Sequence, residues 1–248
     1  MIDYWLALLN RRQPDGLIVP RGTFPGPDST GNGLLYLSLA HICAALNRYP
    51  VNAAMLSSLV ASCYVPGKPG ILQRSPTKYD DQNGWDDYIG VCAAAALVGD
   101  RHLAWVSLNA GNVRRFWLFK WFFKNNKPHV HKLTDRETWQ AWFGRNPSAV
   151  CHMQFCSGVW PHPLRILWQA LDIIHTALFS MGTRHDAIIL TYLQVLVWSK
   201  HWHRPWVIEI AVKLFKKRLE LKYGSFRGVL VHRLDADHPI VTHWPLKV

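Results

Sequence analysis

The stretch from Tyr79 to Val98, "YDDQNGWDDYIGVCAAAALV", joins a cluster of aspartates to a run of small apolar residues. Its first half holds four aspartates, in a chain with only 16 acidic residues against 28 lysines and arginines. Its second half contains no proline, and small side chains such as those in "CAAAALV" let a neighbouring helix approach closely. We therefore predict a helix over residues 85–98, with the acidic cluster at its N-terminal end.

The four aspartates divide into two pairs. Asp86 and Asp87 fall in the first turn of the predicted helix, where carboxylates interact favourably with unpaired N–H groups and the positive end of the helix dipole. Asp80 and Asp81 precede the helix, and they would repel the others unless a cation, an arginine or a ligand intervenes. Arg74 and Arg21 are the candidate arginines near this cluster in the sequence. The spacing of the aspartates does not fit an EF-hand loop, so we predict no metal site and no cofactor.

Glycan chemistry is a second interpretation of the same cluster. Two carboxylates that flank a sugar ring, one of them protonated, are the minimal machinery of glycoside hydrolysis. The candidate catalytic residues, if the chain is an enzyme, are Asp80, Asp81, Asp86 and Asp87. The candidate ligand-binding residues, which would stack on or bind a ligand, are Trp85, Tyr79, Tyr88 and Arg74. The pattern leaves open whether the chain has any catalytic activity.

Helical signals continue along the chain. Apolar periodicity, caps and Pro/Gly stops predict further helices over 3–12, 34–46, 52–63, 101–125 (two, with a break), 134–143, 163–181, 185–202 and 205–223. The tail at 226–245, "FRGVLVHRLDADHPIVTHWP", reads as a short extended arm. We predict an all-α fold, an array of helical hairpins in a single domain over residues 1–248, with a lobe boundary near 125–132 if the chain divides.

Composition narrows the class of partner. The net charge of +12 favours polyanions or acidic partners, and the 13 tryptophans favour cores and interfaces. Five cysteines, an odd number, with the first three (Cys43, Cys63 and Cys92) in apolar surroundings, predict buried free thiols. Residues 1–16 show no basic stretch before an apolar core and no small-residue cleavage site, so we expect no secretory signal there. The most apolar uncharged run, residues 187–199, is too short to cross a bilayer.

Two basic segments and two histidine pairs offer weaker signals. The segment at 112–127, "NVRRFWLFKWFFKNNK", interleaves bases with aromatic rings, and we favour core or interface packing over contact with nucleic acid or lipid. A second basic set, interpreted as a solvated helix face, consists of Lys213, Lys216, Lys217, Arg218 and Lys222. The pairs His129/His131 and His201/His203 are interpreted as structural or surface histidines.

Residues 28–98 carry a resemblance to known proteins. The order "DSTGNGLLYLSLAHICAAL" (28–46) and then "PGILQRSPTKYDDQNGWDDYIGVCAAAAL" (69–97) resembles a class of uncharacterised bacteriophage proteins. The arrangement is also similar to (α/α) toroids, in which inner helix ends present Asp, His and Trp to a central cleft. A complete toroid of this kind has more helices than this sequence predicts, so the resemblance implies an open or shortened toroid.

Two functions are consistent with these patterns. The first is a structural or interaction protein, made in the host cytoplasm and then virion-associated, whose partners are other virion or assembly proteins. The second is a carbohydrate-active protein that cleaves or binds a glycan at Asp80–Asp87. Nucleic acid is a less favoured partner, and no transmembrane segment is expected.

Overall fold

The structure is a computed structural model. It describes residues 2–22, 33–65, 68–72, 76, 85–100, 167, 170–171, 173–182, 185–201 and 205–245. The helices predicted over 101–125 and 134–143, and the lobe boundary near 125–132, lie outside the described residues.

Helices dominate the described part of the chain, and the prediction of an all-α fold is confirmed. The helices are α1 (Ile2–Leu9), α2 (Gly33–Leu46), α3 (Ala53–Ser62), α4 (Trp85–Val98), α5 (His185–His201), α6 (Trp206–Tyr223), α7 (Phe226–Leu230) and α8 (Pro239–His243). The helix predicted over 163–181 is α-helical at 170–171 and 173–175 and ends in a π-helical turn, Thr176–Ser180. One antiparallel hairpin, β1 (Tyr64–Val65) with β2 (Lys68–Leu72), was not predicted, because so short a strand pair shows no alternation.

The α2–α4 pair forms the centre of the core. Every residue of α2 from Gly33 to Ala44 is buried, and α4 is buried from Ile89 to Ala95. The two helices come close at Gly90, where an added Cβ would lie 3.0 Å from Leu35 Cδ1 and 3.3 Å from Leu35 Cα. The small residues of the opening stretch therefore permit the close helix approach that the sequence predicted.

The remaining helices extend this core. Helix α4 also contacts α5, which in turn contacts α7 and the π-helical turn. Helix α3 begins at the predicted cap, where Asn52 Oδ1 accepts a hydrogen bond from Met55 N–H at 3.0 Å. Helix α6 starts at Trp206 with Pro205 as its N-cap, and it ends at Gly224, whose φ of +70° suits glycine.

The prediction of an extended C-terminal arm over 226–245 is wrong. Ser225 caps α7 by accepting from Gly228 N–H, and His238 caps α8, which has Pro239 in its first turn. The tail is therefore locally helical and capped. Its apolar side chains face the core at helical spacing, and the buried set is Phe226, Val229, Leu230, Leu234, Ile240, Val241 and Trp244.

Candidate functional site

Asp87 is the residue of the acidic cluster whose side chain the structure describes, and it is a buried helix cap. Asp87 is 1% exposed, and its Oδ1 accepts a hydrogen bond from Leu35 N–H at 3.1 Å. Leu35 lies in the first turn of α2, where backbone N–H groups have no partner within the helix. Asp87 thus satisfies the start of the neighbouring helix, whereas the sequence analysis assigned it to the start of its own.

The structure does not describe the side chains of the other predicted site residues. Tyr79, Asp80, Asp81 and Arg74 are outside the described residues. Arg21 is described, and it donates a hydrogen bond to the His232 carbonyl at 2.9 Å. Trp85, Asp86 and Tyr88 lie in the first turn of α4, and their side chains are outside the described part. With its oxygen engaged by Leu35 in the interior, Asp87 itself does not face a solvent-filled cleft, so it lends no support to the glycan-cleaving interpretation.

The described thiols are not poised for nucleophilic chemistry. Cys43, Cys63 and Cys92 are free and buried, as the sequence predicted. Burial raises the pKa of Cys43 to about 11 and that of Cys63 to about 12, and it also raises the pKa of Cys92. These thiols stay protonated near neutral pH, and a protonated thiol is a poor nucleophile. The other two, Cys151 and Cys156, lie outside the described residues.

A polar cluster that the sequence analysis missed ties the tail to the N-terminal segment. Arg11 is 9% exposed and donates to Asp235, to both carboxylate oxygens of Asp237 at 3.0 and 3.1 Å, and to the Gly22 carbonyl at 2.7 Å. Hydrogen bonds with Arg11 and Gly22 N–H lower the pKa of Asp235, despite the opposing effect of burial. The signal in the sequence is the "DAD" at 235–237, but its partner lies more than 200 residues away.

His238 also contributes to this contact between the C-terminal tail and the N-terminal segment. Its Nε2 lies 3.1 Å from the Val19 carbonyl, which only accepts, so Nε2 carries the proton. Its Nδ1 accepts from Ile240 N–H at 3.2 Å and caps α8. Burial lowers the pKa of His238 to about 4, so the ring is neutral near pH 7. This polar cluster therefore holds the C-terminal tail against the N-terminal segment. Its members are Arg11, Asp235, Asp237 and His238.

A second histidine contact lies where the tail meets α5. The rings of His185 and His232 stack with centroids 4.1 Å apart, and Arg233 pairs with Asp186 beside them. Burial, followed by the charges of His232 and Arg233, lowers the pKa of His185. Among the described side chains, no group of three or more His, Cys, Asp or Glu is placed to hold a metal ion.

The outward-facing side of α6 and the π-helical turn that contacts it carry the most exposed large apolar side chains among the described residues. Trp206 is 74% exposed and Leu221 is 71% exposed, and the nearby π-helical turn exposes 73% of Phe179. The basic face predicted on this helix is also present, because Lys213, Lys217, Arg218 and Lys222 are exposed and Lys216 is half-buried. Within the described residues, no helix is both long and apolar enough to cross a membrane. Comparison with protein-family models, with curated proteins and with solved structures gave no match.

Proposed function

We propose that the chain is a structural or interaction protein of the bacteriophage type, which docks into a virion or a similar assembly through aromatic and basic surfaces, with no turnover assumed. The observation that carries this proposal is the exposure of large apolar side chains on the α6 side of the molecule, namely Trp206, Leu221 and Phe179. Isolated exposed apolar residues are ordinary, but exposed tryptophan is enriched where proteins bind one another.

The chemistry of the described interior supports the same proposal. The Asp87 carboxylate caps the start of α2, and the described cysteines are buried as protonated thiols. These groups therefore have a structural role. The polar contacts of Arg11 and His238 likewise join the N-terminal segment to the C-terminal tail. The resemblance of residues 28–98 to bacteriophage proteins supplies the type of assembly.

Quantitative mass spectrometry of gradient-purified particles tests the proposal. Particles are prepared from a phage that encodes this chain, and the copy number of the chain per particle is measured against the major capsid protein. We expect a fixed copy number that survives repeated gradient purification and a high-salt wash. Recovery of the chain only in the soluble lysate fraction would contradict a role as a virion component.

A further inference from the structure

The turn that follows α7 lies against the start of α5 through a pair of stacked histidines. The rings of His185 and His232 have centroids 4.1 Å apart and an interplanar angle of 22°. Tyr223, the last residue of α6, lies beside both rings, with its centroid 6.1 Å from that of His185 and 5.6 Å from that of His232. This contact therefore joins α5, α6 and the turn. We call it the histidine junction, and its members are His185, Asp186, Tyr223, His232 and Arg233.

Most of the charged groups around the stack are cations. Arg233 follows His232 in the turn and pairs with Asp186 of α5. Lys222, in the last turn of α6, acts on the stack as a further positive charge. From the N-terminal segment, Arg21 donates a hydrogen bond to the His232 carbonyl at 2.9 Å. Asp186 is the only acid among the described groups whose charge acts on the stack, and it is already paired.

Protonation turns this stack from an attractive contact into a repulsive one. Two neutral imidazole rings pack face to face as other aromatic pairs do. A histidine gains its proton between about pH 8 and 5. Two imidazolium rings with centroids 4.1 Å apart then repel each other. The nearby lysine and arginines add to this repulsion, and one paired carboxylate does not offset it.

The stacked form leaves two polar atoms unsatisfied. Asp186 Oδ1 and the Tyr223 hydroxyl are buried and have no hydrogen-bond partner among the residues that the structure describes. Water that enters on opening would hydrate both atoms, so it would offset part of the contact that is lost. The side chains of the ion pair between Arg233 and Asp186 are 43% and 34% exposed, and an exposed pair contributes little to stability. A small unfavourable charge is therefore sufficient to open the junction.

We propose that the histidine junction is a pH-sensitive contact, which opens when His185 and His232 are both protonated. Opening separates the turn at 231–233 from α5 and admits water to the end of α6. The residues on either side of this turn, Leu230 and Leu234, are buried, so α7 and the rest of the tail stay in place. The opening is a property of the isolated chain, and it does not rest on the proposed function.

The direction of the pH dependence follows from which form binds protons. In the closed form, burial and the neighbouring cations lower the pKa of His185, and Asp186 opposes part of this effect. The closed form therefore binds protons less readily than the open form. The contact is favoured above about pH 6.5 and weakens as the pH falls below it. Burial lowers the pKa of His238 to about 4, so that ring stays neutral over this range and its contact with Val19 persists.

Side-chain NMR of the full-length chain with ¹³C-labelled histidines tests the proposal. Rings stacked at 4.1 Å give a nuclear Overhauser effect between their protons, and the two signals are assigned by their loss in His185→Asn and His232→Asn. We expect this effect at pH 7.5, and we expect more than about half of its intensity to be lost at pH 5.5. The resonances of His238 should stay nearly constant over the same range, because that ring remains neutral.

Substitutions on α6 and in the turn separate the effect of charge from that of packing. Lys222→Gln removes a cation near the stack, so the Overhauser effect should persist to lower pH than in the unaltered chain. Its matched control is Lys213→Gln, at an exposed position on the opposite side of the same helix, and it should leave the titration unchanged. His232→Asn removes the ring that stacks on His185, and it should raise the pKa of His185.

Each outcome decides the proposal. Loss of the Overhauser effect in mild acid, shifted to lower pH by Lys222→Gln but not by Lys213→Gln, would support it. An effect of equal intensity at both pH values, or the same titration in the unaltered chain and in Lys222→Gln, would overturn it. A simultaneous change in the His238 resonances would also overturn it, because it would show general unfolding in place of local opening. Virus particles are not used, so the result is independent of the copy-number measurement that tests the proposed function.

Discussion

Lowering the pH should destabilise the contact between the C-terminal tail and the N-terminal segment, because the folded state excludes a proton from His238. The ring is fully buried and neutral in the folded state, and its pKa there is about 4 against an ordinary value of 6.5. The charged groups that face it are Arg11, which lowers the pKa further, and Asp235 and Asp237, which raise it. Burial is the largest influence, so the folded state resists protonation of this ring.

The direction of the effect follows from which state binds the proton. Above pH 6.5 the ring is neutral in both states, and its contribution to stability is fully present. Between pH 6.5 and 4 the unfolded chain binds a proton that the folded chain excludes, so stability falls as the pH falls. From pH 7 to pH 4.5 this one ring should reduce the free energy of unfolding by about 2 kcal/mol.

Urea unfolding followed by far-UV circular dichroism at several pH values measures this loss. His238→Asn keeps an acceptor that can cap α8 but cannot titrate in this range. We expect the variant to be less stable at pH 7 by about 1–2 kcal/mol, because the hydrogen bond to the Val19 carbonyl is lost. Its stability should then depend less on pH than that of the unaltered chain, by up to about 1.4 kcal/mol per pH unit.

A matched control separates this effect from other titrations. Ser58→Asn, at an exposed position of α3, introduces an asparagine without removing an ionisable group, and it should leave the pH dependence unchanged. Identical pH dependence in the unaltered chain and in His238→Asn would refute the assignment of a buried neutral His238.

Three substitutions test other contacts by the same unfolding measurement. Asp87→Ala should lower the free energy of unfolding by about 1–3 kcal/mol, because it leaves a buried N–H group of α2 without its acceptor. Its control, Asp3→Ala at an exposed first-turn position of α1, should lower that free energy by less than about 1 kcal/mol. Arg11→Ala should lower the free energy of unfolding by about 1–3 kcal/mol, because it removes the hydrogen bonds of Arg11 to the Gly22 carbonyl and to Asp235, which is 32% exposed. Arg233→Ala breaks a pair whose side chains are 43% and 34% exposed, and it should lower that free energy by under about 1 kcal/mol. Gln194→Met should stabilise the fold by about 1 kcal/mol, because the Gln194 amide is fully buried and has no hydrogen-bond partner among the residues that the structure describes. Equal costs within either matched pair, or a loss of stability in Gln194→Met, would contradict the corresponding contact.

Local signals in the sequence were sufficient for the helices whose ends are marked by their own residues. The bounds of α4 match the prediction, and α3 begins at its predicted cap, Asn52. The tail shows where local reading fails. The alternation in "VLVHRL" suggested a strand, but the caps at Ser225 and His238 and the burial of apolar side chains at helical spacing make it helical. The packing of these apolar side chains against the core therefore outweighs the weak preference of the local sequence for a strand.

The roles of individual polar residues could not be read from the sequence. Asp87 satisfies a backbone N–H group 52 positions away, and Arg11 binds carboxylates more than 200 positions away. Such partners are set by how helices pack, and no local spacing encodes them. The basic face of α6 was predictable from helical periodicity, but the exposure of Trp206 at its start was not, because tryptophan is as often a core residue.

Zero-length carbodiimide cross-linking of purified particles tests most directly whether the chain acts by docking. The reagent joins a lysine amine to a carboxylate only when the two are in contact, and mass spectrometry identifies the joined residues. We predict that Lys213 and Lys217 are joined to aspartates or glutamates of another virion protein. The result that would contradict docking through the exposed side of α6 is the chain present in the particles, with other exposed lysines joined to that protein but Lys213 and Lys217 always free.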